Sequence, residues 1–249
     1  QPDIIVCRSE YPLDNGIKDK IALFCNVPSS HVLQNLDVEY LYEAPLAMEE
    51  EHLAQVACEC LGLPCPEPNL SDWKAMCTAL KHPKGEVSVA LVGKYTQLHD
   101  AYISVVESLK HGGIANGVSV NIKWVDSEKV TAENVEEFLG DVSGIIVPGG
   151  FGDRGIEGMI QSIRYAREKK VPFLGLCLGM QLTIVEFTRD VVGYNDAHSV
   201  EFLPGTTHPV IHLMPDQEGI DDIGGTLRLG SYPCILDESS KAYALYGSK

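Results

Sequence analysis

The most informative stretch of the sequence is Val171-Pro172-Phe173-Leu174-Gly175-Leu176-Cys177-Leu178-Gly179-Met180-Gln181. The apolar run that ends at Leu176 predicts a buried strand, and the apolar pattern over residues 178–189 predicts a helix. Cys177 lies between them in a G-x-C-x-G pattern, similar to the G-x-S-x-G elbow that exposes a nucleophile on a sharp strand-to-helix turn. The stretch therefore predicts a nucleophilic cysteine at the carboxyl end of a strand.

The chemistry of such an elbow explains its residue types. The backbone at the nucleophile is strained and tightly surrounded, so Gly175 and Gly179 remove Cβ atoms where the chain passes closest. The N-terminus of the helix that begins at Leu178 stabilises a thiolate at Cys177. The alternative is an inert buried thiol. The two glycines and the strand-helix context favour acyl transfer.

A second glycine-rich segment, Val147-Pro148-Gly149-Gly150-Phe151-Gly152-Asp153-Arg154-Gly155, follows the preceding predicted strand. As a bare motif it is compatible with a simple turn. Beside the elbow it is a candidate oxyanion hole, in which the N–H groups of Gly150 and Leu178 would stabilise the tetrahedral intermediate by about 3 kcal/mol per donor.

From residue 87 onward the sequence alternates between strand and helix patterns. This alternation predicts an α/β fold with a mostly parallel, doubly wound sheet that places ligands at the carboxyl ends of its strands. The predicted strands are 87–92, 118–125, 144–147 and 171–176, and the predicted helices are 101–111, 135–138, 156–169 and 178–189.

The segment before residue 87 follows a different pattern. We predict strands at 4–7, 21–27 and 38–42, a helix over 49–61, and a helix over 71–80 with Ser71 as its N-cap. The proline-dense residues 62–68 mark a domain boundary. The predicted organisation is a first domain portion at 1–63, a linker at 64–86 and a second domain at 87–249, with both termini interrupting a longer fold.

Composition restricts the class of function. With 35 acidic against 19 basic residues, the net charge is −16, which opposes binding to nucleic acid and to anionic membranes. The sequence contains neither a signal peptide nor an apolar membrane span, so we expect a cytoplasmic protein. The eight cysteines are expected to be reduced thiols, with no metal site in this chain.

The glycine-rich segment and the cysteine elbow together resemble the class I glutamine amidotransferases. Further motifs resemble the CTP synthase family specifically, and the resemblance runs from end to end. These motifs are Gln1-Pro2-Asp3, residues 20–27, Val92-Gly93-Lys94-Tyr95, Asp100-Ala101-Tyr102, residues 110–113, Ser199-Val200-Glu201-Phe202 and residues 224–230.

This resemblance implies an amidotransferase domain preceded by the tail of a P-loop-type α/β synthetase domain. In that family the amidotransferase hydrolyses glutamine. The ammonia passes to the synthetase, which uses ATP and Mg²⁺ to aminate UTP to CTP, and GTP stimulates the glutaminase. The family also implies a homotetramer that forms through the synthetase domain.

The resemblance assigns roles by position. It makes Cys177 the nucleophile and Gly150 and Leu178 the oxyanion donors. The implied glutamine-binding residues are Gly150, Phe151, Leu178, Gln181 and Glu201. The implied nucleotide contacts are Lys20 for the pyrimidine nucleotide, Leu36, Asp37 and Val38 for the adenine of ATP, and Arg228 in a GTP-responsive lid.

The sequence departs from the family in two respects. None of its eight histidines begins the His-x-Glu that completes the family's triad, and it contains no G-x-x-x-x-G-K-[ST] phosphate loop. We therefore expect these 249 residues alone to be inactive, with His198 as the fallback if they are not. Two other functions stay open: a different thiol hydrolase or redox protein, and a non-enzymatic assembly or nucleotide-sensing module.

Overall fold

The computed structural model describes residues 1–213 and 234–247 of the chain. They belong to two units, Gln1–Leu182 and Thr183–Lys249. The first unit begins with strand β1 (Ile5–Ser9), helix α1 (Asn15–Cys25) and strand β2 (Val32–Leu36). The two strands pair in parallel.

Two of the three strands predicted in this region are wrong. Residues 21–27 belong mostly to α1, whose first turn is capped by the Asp14 side chain at 2.9 Å from the amide nitrogen of Ile17. The short apolar run IALFC is the second half of this helix, and a short apolar run fits a strand or a helix equally well. Residues 38–42 are also not a strand, because the chain enters a 3₁₀ turn at Leu41–Glu43.

The next helices also differ from prediction. The single helix expected over 49–61 is two helices, α2 (Ala44–Glu50) and α3 (Leu53–Leu61), because His52 adopts a left-handed conformation between them. Helix α4 (Ser71–Lys81) follows. Its first residue is Ser71, which is therefore not the N-cap; the amide of Ser71 donates to the Asn69 side chain at 3.1 Å.

The remaining elements of the first unit confirm the predicted parallel α/β pattern. They are β3 (Glu86–Gly93), α5 (Ile103–Asn116), β4 (Ser119–Asp126), α6 (Val135–Leu139), β5 (Gly144–Val147), α7 (Ile156–Lys169), β6 (Phe173–Gly175) and α8 (Leu178–Phe187), which runs into the second unit. The sheet order is β4-β3-β5-β6, and every pair is parallel. The carboxyl ends of all four strands therefore lie at one edge of the sheet.

The core of this unit lies between the central strands and the helices that follow them. Each large aliphatic side chain buried there contributes about 2 kcal/mol by removal from water. Helix α7 packs closely on the 3₁₀ turn Ser127–Lys129, since a Cβ at Gly158 would lie 1.8 Å from the carbonyl oxygen of Ser127. Fully buried members of the core include Leu91, Val92, Val125, Leu139, Ile145, Val147, Met159, Ile160, Leu178 and Leu182.

The second unit contains the end of α8, a π-helical turn at Thr188–Val192, and the short parallel strands β7 (His198–Ser199) and β8 (Pro209–Ile211). Helix α9 (Lys241–Tyr246) lies near the C-terminus. Within residues 1–213 and 234–247, no helix combines the length and apolar character needed to span a bilayer.

Candidate active site

Cys177 occupies a strained turn between β6 and α8. Its φ is +53°, a conformation that costs a residue other than glycine on the order of 1–3 kcal/mol and is concentrated at functional sites. The residue is exposed, whereas the next residue, Leu178, is buried. The turn thus presents the thiol at the carboxyl edge of the sheet, as expected for a nucleophile elbow.

The flanking glycines are required by close backbone contacts. A Cβ on Gly179 would lie 2.0 Å from the carbonyl oxygen of Val147, and a Cβ on Gly175 would lie 2.6 Å from the backbone of Gly179. Both distances are far below van der Waals contact, so no other residue fits without a backbone shift. The two glycines let the strand, the turn and the helix approach one another closely enough to form the elbow.

The glycine-rich loop after β5 lies against the cysteine. A Cβ on Gly149 would be 3.4 Å from the Cβ of Cys177, and one on Gly150 would be 3.6 Å from Cδ2 of Leu178. The amide of Leu176 donates to the carbonyl of Val147 at 2.9 Å and holds the two strand ends in register. The structure therefore brings Gly150, Cys177 and Leu178 together at one edge of the sheet.

Lys94 holds this loop through hydrogen bonds, a role that the sequence analysis did not assign to it. It follows β3, is only 4% exposed, and donates from Nζ to the carbonyl oxygen of Phe151 at 3.0 Å and to that of Gly152. Its position in Val92-Gly93-Lys94-Tyr95, directly after a buried strand, was the available signal. The ammonium group therefore holds two carbonyls of the glycine-rich loop.

Tyr102 in turn fixes the backbone at Lys94. Its hydroxyl oxygen accepts from the amide nitrogens of Lys94 at 3.1 Å and Tyr95 at 3.3 Å. A Cβ on Gly93 would lie 2.6 Å from that hydroxyl, so glycine is needed there. Burial raises the pKa of Tyr102, so the phenol stays neutral as it supports the strand end.

The other predicted glutamine-binding residues of the first unit flank the elbow. The Phe151 ring is 84% exposed, which leaves its face available to a ligand. The amide of Gln181 donates to the carbonyl of Cys177 at 3.0 Å in the first turn of α8, and the residue is half-buried. These positions support a pocket wall beside the thiol.

Glu201 belongs to the second unit. It is exposed, and its amide donates to the Ser199 hydroxyl at 3.2 Å. Nearby in that unit, His208 pairs through Nδ1 with Asp196 at 2.5 Å and stacks on Tyr194 with ring centroids 4.3 Å apart. Hydrogen bonds from Thr207, followed by the interaction with His208, hold the pKa of Asp196 well below its usual range.

The predicted adenine contact Asp37 directly follows β2. The amide of Asp37 donates to the carbonyl of Ser9 at 3.2 Å, and its carboxylate pairs with Arg8 at 2.9 Å. Beside them, Ser9 Oγ and Asn35 Oδ1 are buried without a hydrogen-bond partner in the part of the chain that the structure describes. Buried orphan polar atoms at the carboxyl ends of parallel strands fit a site that a polar ligand completes.

The other predicted nucleotide contacts are placed as follows. Leu36 ends β2, Val38 is half-buried just beyond it, and Lys20 is exposed on α1. Arg228, the predicted lid residue, lies outside the described residues. Among the residues that the structure describes, no group of three or more His, Cys, Asp or Glu side chains is arranged to hold a metal ion.

Comparison with protein families matches residues 97–247 to the family described as glutamine amidotransferase class-I. The chain belongs to the class I glutamine amidotransferase family. This match covers strands β4, β5 and β6, the elbow and the glycine-rich loop, and it begins after strand β3. Residues 1–63 of this chain match a second family, described as CTP synthase N-terminus.

Curated relatives of this amidotransferase chain confirm the resemblance to CTP synthases. It is 56% identical over 246 residues to the CTP synthase of Clostridium acetobutylicum and 54% identical over 246 residues to that of Caldanaerobacter subterraneus subsp. tengcongensis. Each match covers 99% of this chain and 46% of the relative. The chain thus spans a little under half the length of the curated relatives it matches.

A solved structure shares the fold. The Trypanosoma brucei CTPS glutaminase domain with bound acivicin superimposes with a TM-score of 0.55 at 34% sequence identity. The match covers 66% of this amidotransferase chain and 63% of the trypanosomal one.

Proposed function

We propose that this chain is the glutamine-hydrolysing part of a CTP synthase, together with the end of its synthetase domain. The single observation that carries the proposal is the elbow: Cys177 is held exposed at φ +53° between two obligatory glycines. We infer that glutamine is the substrate of this elbow from the amidotransferase family match and the CTP synthase relatives. The proposed organisation is synthetase at 1–63, linker at 64–86 and amidotransferase at 87–249.

In the proposed reaction the Cys177 thiolate attacks the carboxamide carbon of glutamine. The carbonyl oxygen becomes an oxyanion, stabilised by the backbone N–H groups of Gly150 and Leu178. Collapse of this intermediate breaks the C–N bond, and the protonated nitrogen leaves as ammonia. Water then cleaves the Cys177 thioester, releasing glutamate and restoring the thiol.

The remaining contacts select glutamine. The Glu201 carboxylate would pair with the α-ammonium group of the substrate, Gln181 would bind its polar groups, and Phe151 would wall the pocket. The proton shuttle is the His-x-Glu pair that the family resemblance requires. The printed sequence does not contain that pair, so these 249 residues on their own would not turn over glutamine.

The ammonia would aminate UTP to CTP in an ATP-dependent reaction. Residues 36–38 would contact the adenine of ATP, where the orphan oxygens of Ser9 and Asn35 support a polar ligand, and Lys20 would contact the pyrimidine nucleotide. In the full-length protein, ATP with Mg²⁺ would supply the phosphoryl group that activates the uracil oxygen. We further propose GTP as activator through Arg228, a homotetrameric assembly and a cytoplasmic location.

An electrophilic glutamine analogue tests this function directly. Acivicin, the compound bound in the trypanosomal relative, should add to Cys177 alone, and glutamine but not glutamate should protect the thiol. Peptide mass mapping locates the adduct, with Cys60→Ser as a matched variant that removes another exposed thiol. Modification spread over the exposed cysteines, or protection by glutamate as strong as by glutamine, would overturn the proposal.

A further inference from the structure

Tyr42 connects the part of the chain that matches the CTP synthase N-terminus with helix α5 of the part that matches the amidotransferase family. Its hydroxyl donates to Oε2 of Glu107 at 2.5 Å, and Nε2 of His111 lies 2.7 Å from the same hydroxyl. A phenol has one proton, which goes to the carboxylate. Nε2 of His111 must therefore donate to Tyr42.

The charges around this hydroxyl keep the hydrogen bond formed. Lys110 binds the other oxygen of Glu107 at 2.6 Å, so both carboxylate oxygens are engaged. The hydrogen bond to Glu107, followed by burial, raises the pKa of Tyr42 to about 12. The phenol therefore remains a donor throughout the neutral range.

The backbone of Tyr42 also holds the helix before the sheet. Its carbonyl oxygen accepts from Nε1 of Trp73 at 2.7 Å and from Sγ of Cys77 at 3.3 Å, both on α4. One residue thus fastens α4 and α5 to the segment that follows β2. The three segments line a cavity of about 540 Å³ that does not include Cys177.

Helix α5 connects this junction to the turn that supports the glycine-rich loop. The 3₁₀ turn that precedes it ends at Tyr102, which fixes the backbone of Lys94; Lys94 in turn holds the carbonyls of Phe151 and Gly152. The next residues back along that loop, Gly149 and Gly150, contact the elbow. A displacement of α5 would therefore act on the oxyanion loop through Tyr102 and Lys94.

We propose that Tyr42 is a positioning residue for the glutamine-dependent reaction, which acts through α5 to hold the oxyanion loop over Cys177. The proposal rests on the glutaminase function proposed above. It assigns Tyr42 no contact with substrate. Its role is to make the glutaminase site depend on the position of the synthetase segment.

The test uses the full-length protein that carries this sequence, with Tyr42→Phe as the variant. We expect glutamine-dependent CTP formation to fall about tenfold, as for the loss of one hydrogen bond to a charged group, while ammonia-dependent CTP formation stays within about twofold of the parent. Tyr40→Phe is the matched control. It removes a hydroxyl two residues away and keeps the ring that lies 5.9 Å from the Lys81 ammonium, and it should change neither rate.

A second pair of variants separates positioning from folding. His111→Gln keeps an N–H donor near the Tyr42 hydroxyl and should retain most glutamine-dependent activity, whereas His111→Leu should resemble Tyr42→Phe. Equal loss of both rates in Tyr42→Phe, or no loss of either, would overturn the proposal. If the parent forms CTP from ammonia but not from glutamine, the proposed glutaminase function itself fails. That result concerns the parent protein, so it is distinct from the two Tyr42→Phe outcomes that would overturn the positioning role.

Discussion

Gly179 passes so close to Val147 that a Cβ on the glycine would lie 2.0 Å from the carbonyl oxygen of Val147. This contact joins the start of α8 to the end of β5, and it positions the turn that carries Cys177. The glycine-rich loop leaves β5 at the same point. The nucleophile and its candidate oxyanion donors are therefore placed by one backbone contact.

Gly179→Ala should destabilise the protein and disable the elbow. The backbone shift needed to relieve the contact should lower the free energy of unfolding by about 1–3 kcal/mol or more. Gly112→Ala is the control, because a Cβ at Gly112 on α5 meets nothing within 4 Å; it should be neutral or stabilise by about 0.5–1 kcal/mol. Thermal unfolding of both variants checks this, and equal melting temperatures would contradict it.

Lys94→Met should strongly reduce the rate of the glutamine-dependent reaction, with a smaller effect on the free energy of unfolding. Without the ammonium group, the carbonyls of Phe151 and Gly152 lose a donor, and the loop no longer holds Gly150 at the position of the oxyanion. We expect a loss of roughly 100-fold in glutamine-dependent rate. Ammonia-dependent CTP formation should be retained.

The control for Lys94 is Lys123→Met, which removes a surface lysine paired with Asp141 at 2.6 Å. Such exposed pairs contribute about 0–1 kcal/mol, so the rate should be unchanged. Steady-state kinetics with glutamine and with ammonia distinguish the two variants. A Lys94→Met protein as active with glutamine as its parent would show that the loop does not need this support.

The Asp196–His208 pair predicts a pH dependence within the second unit. The pKa of Asp196 is lowered in the folded state. The contribution of this carboxylate to the stability of the unit is therefore fully present above the ordinary carboxylate pKa of about 3.9. That contribution is lost as the pH falls from about 3.9 toward the lowered pKa of the folded state. The amide of Thr207 donates to this carboxylate at 2.9 Å. The hydrogen-exchange protection of the Thr207 amide therefore reports on the state of the Asp196–His208 pair.

Asp196→Asn is the matched variant. At pH 6 the parent should protect the Thr207 amide better than the variant does, and the difference should shrink as the pH is lowered to about 3. A difference that stays constant over this range would exclude the carboxylate as its cause.

The 249-residue chain alone should release no ammonia from glutamine above background, since its sequence lacks a His-x-Glu pair. It should still form the covalent adduct with acivicin, because the elbow is complete within the chain. A coupled glutamate dehydrogenase assay measures the first property and intact mass the second. Steady-state turnover would instead direct attention to His198 as the base.

The sequence predicted the parallel sheet best where a buried strand and an amphipathic helix were each well bounded. Strand 144–147 and helix 156–169 have the predicted bounds; Gly144 begins the strand, and Gly155 immediately precedes the helix. The strand predicted over residues 21–27 is wrong because the apolar run there is too short to distinguish a strand from a helix. The break at His52 depends on a left-handed residue that the helical pattern does not reveal.

Only the part of the site built from residues that are close in sequence could be predicted. Glycines at fixed spacing around Cys177 indicate an elbow because they are neighbours in sequence. The support from Lys94 joins residues 57 and 58 positions apart, and the Tyr42–Glu107 contact spans 65 positions. Neither leaves a periodic pattern, so only the folded chain reveals them.

The most direct test of the central claim is CTP formation by the full-length protein with Cys177→Ala, supplied with either glutamine or ammonia. We predict that the glutamine-driven reaction disappears and the ammonia-driven reaction persists, since only the nitrogen supply depends on the thiol. If the glutamine-driven reaction persists as well, Cys177 is a structural thiol and the proposed glutaminase site is wrong.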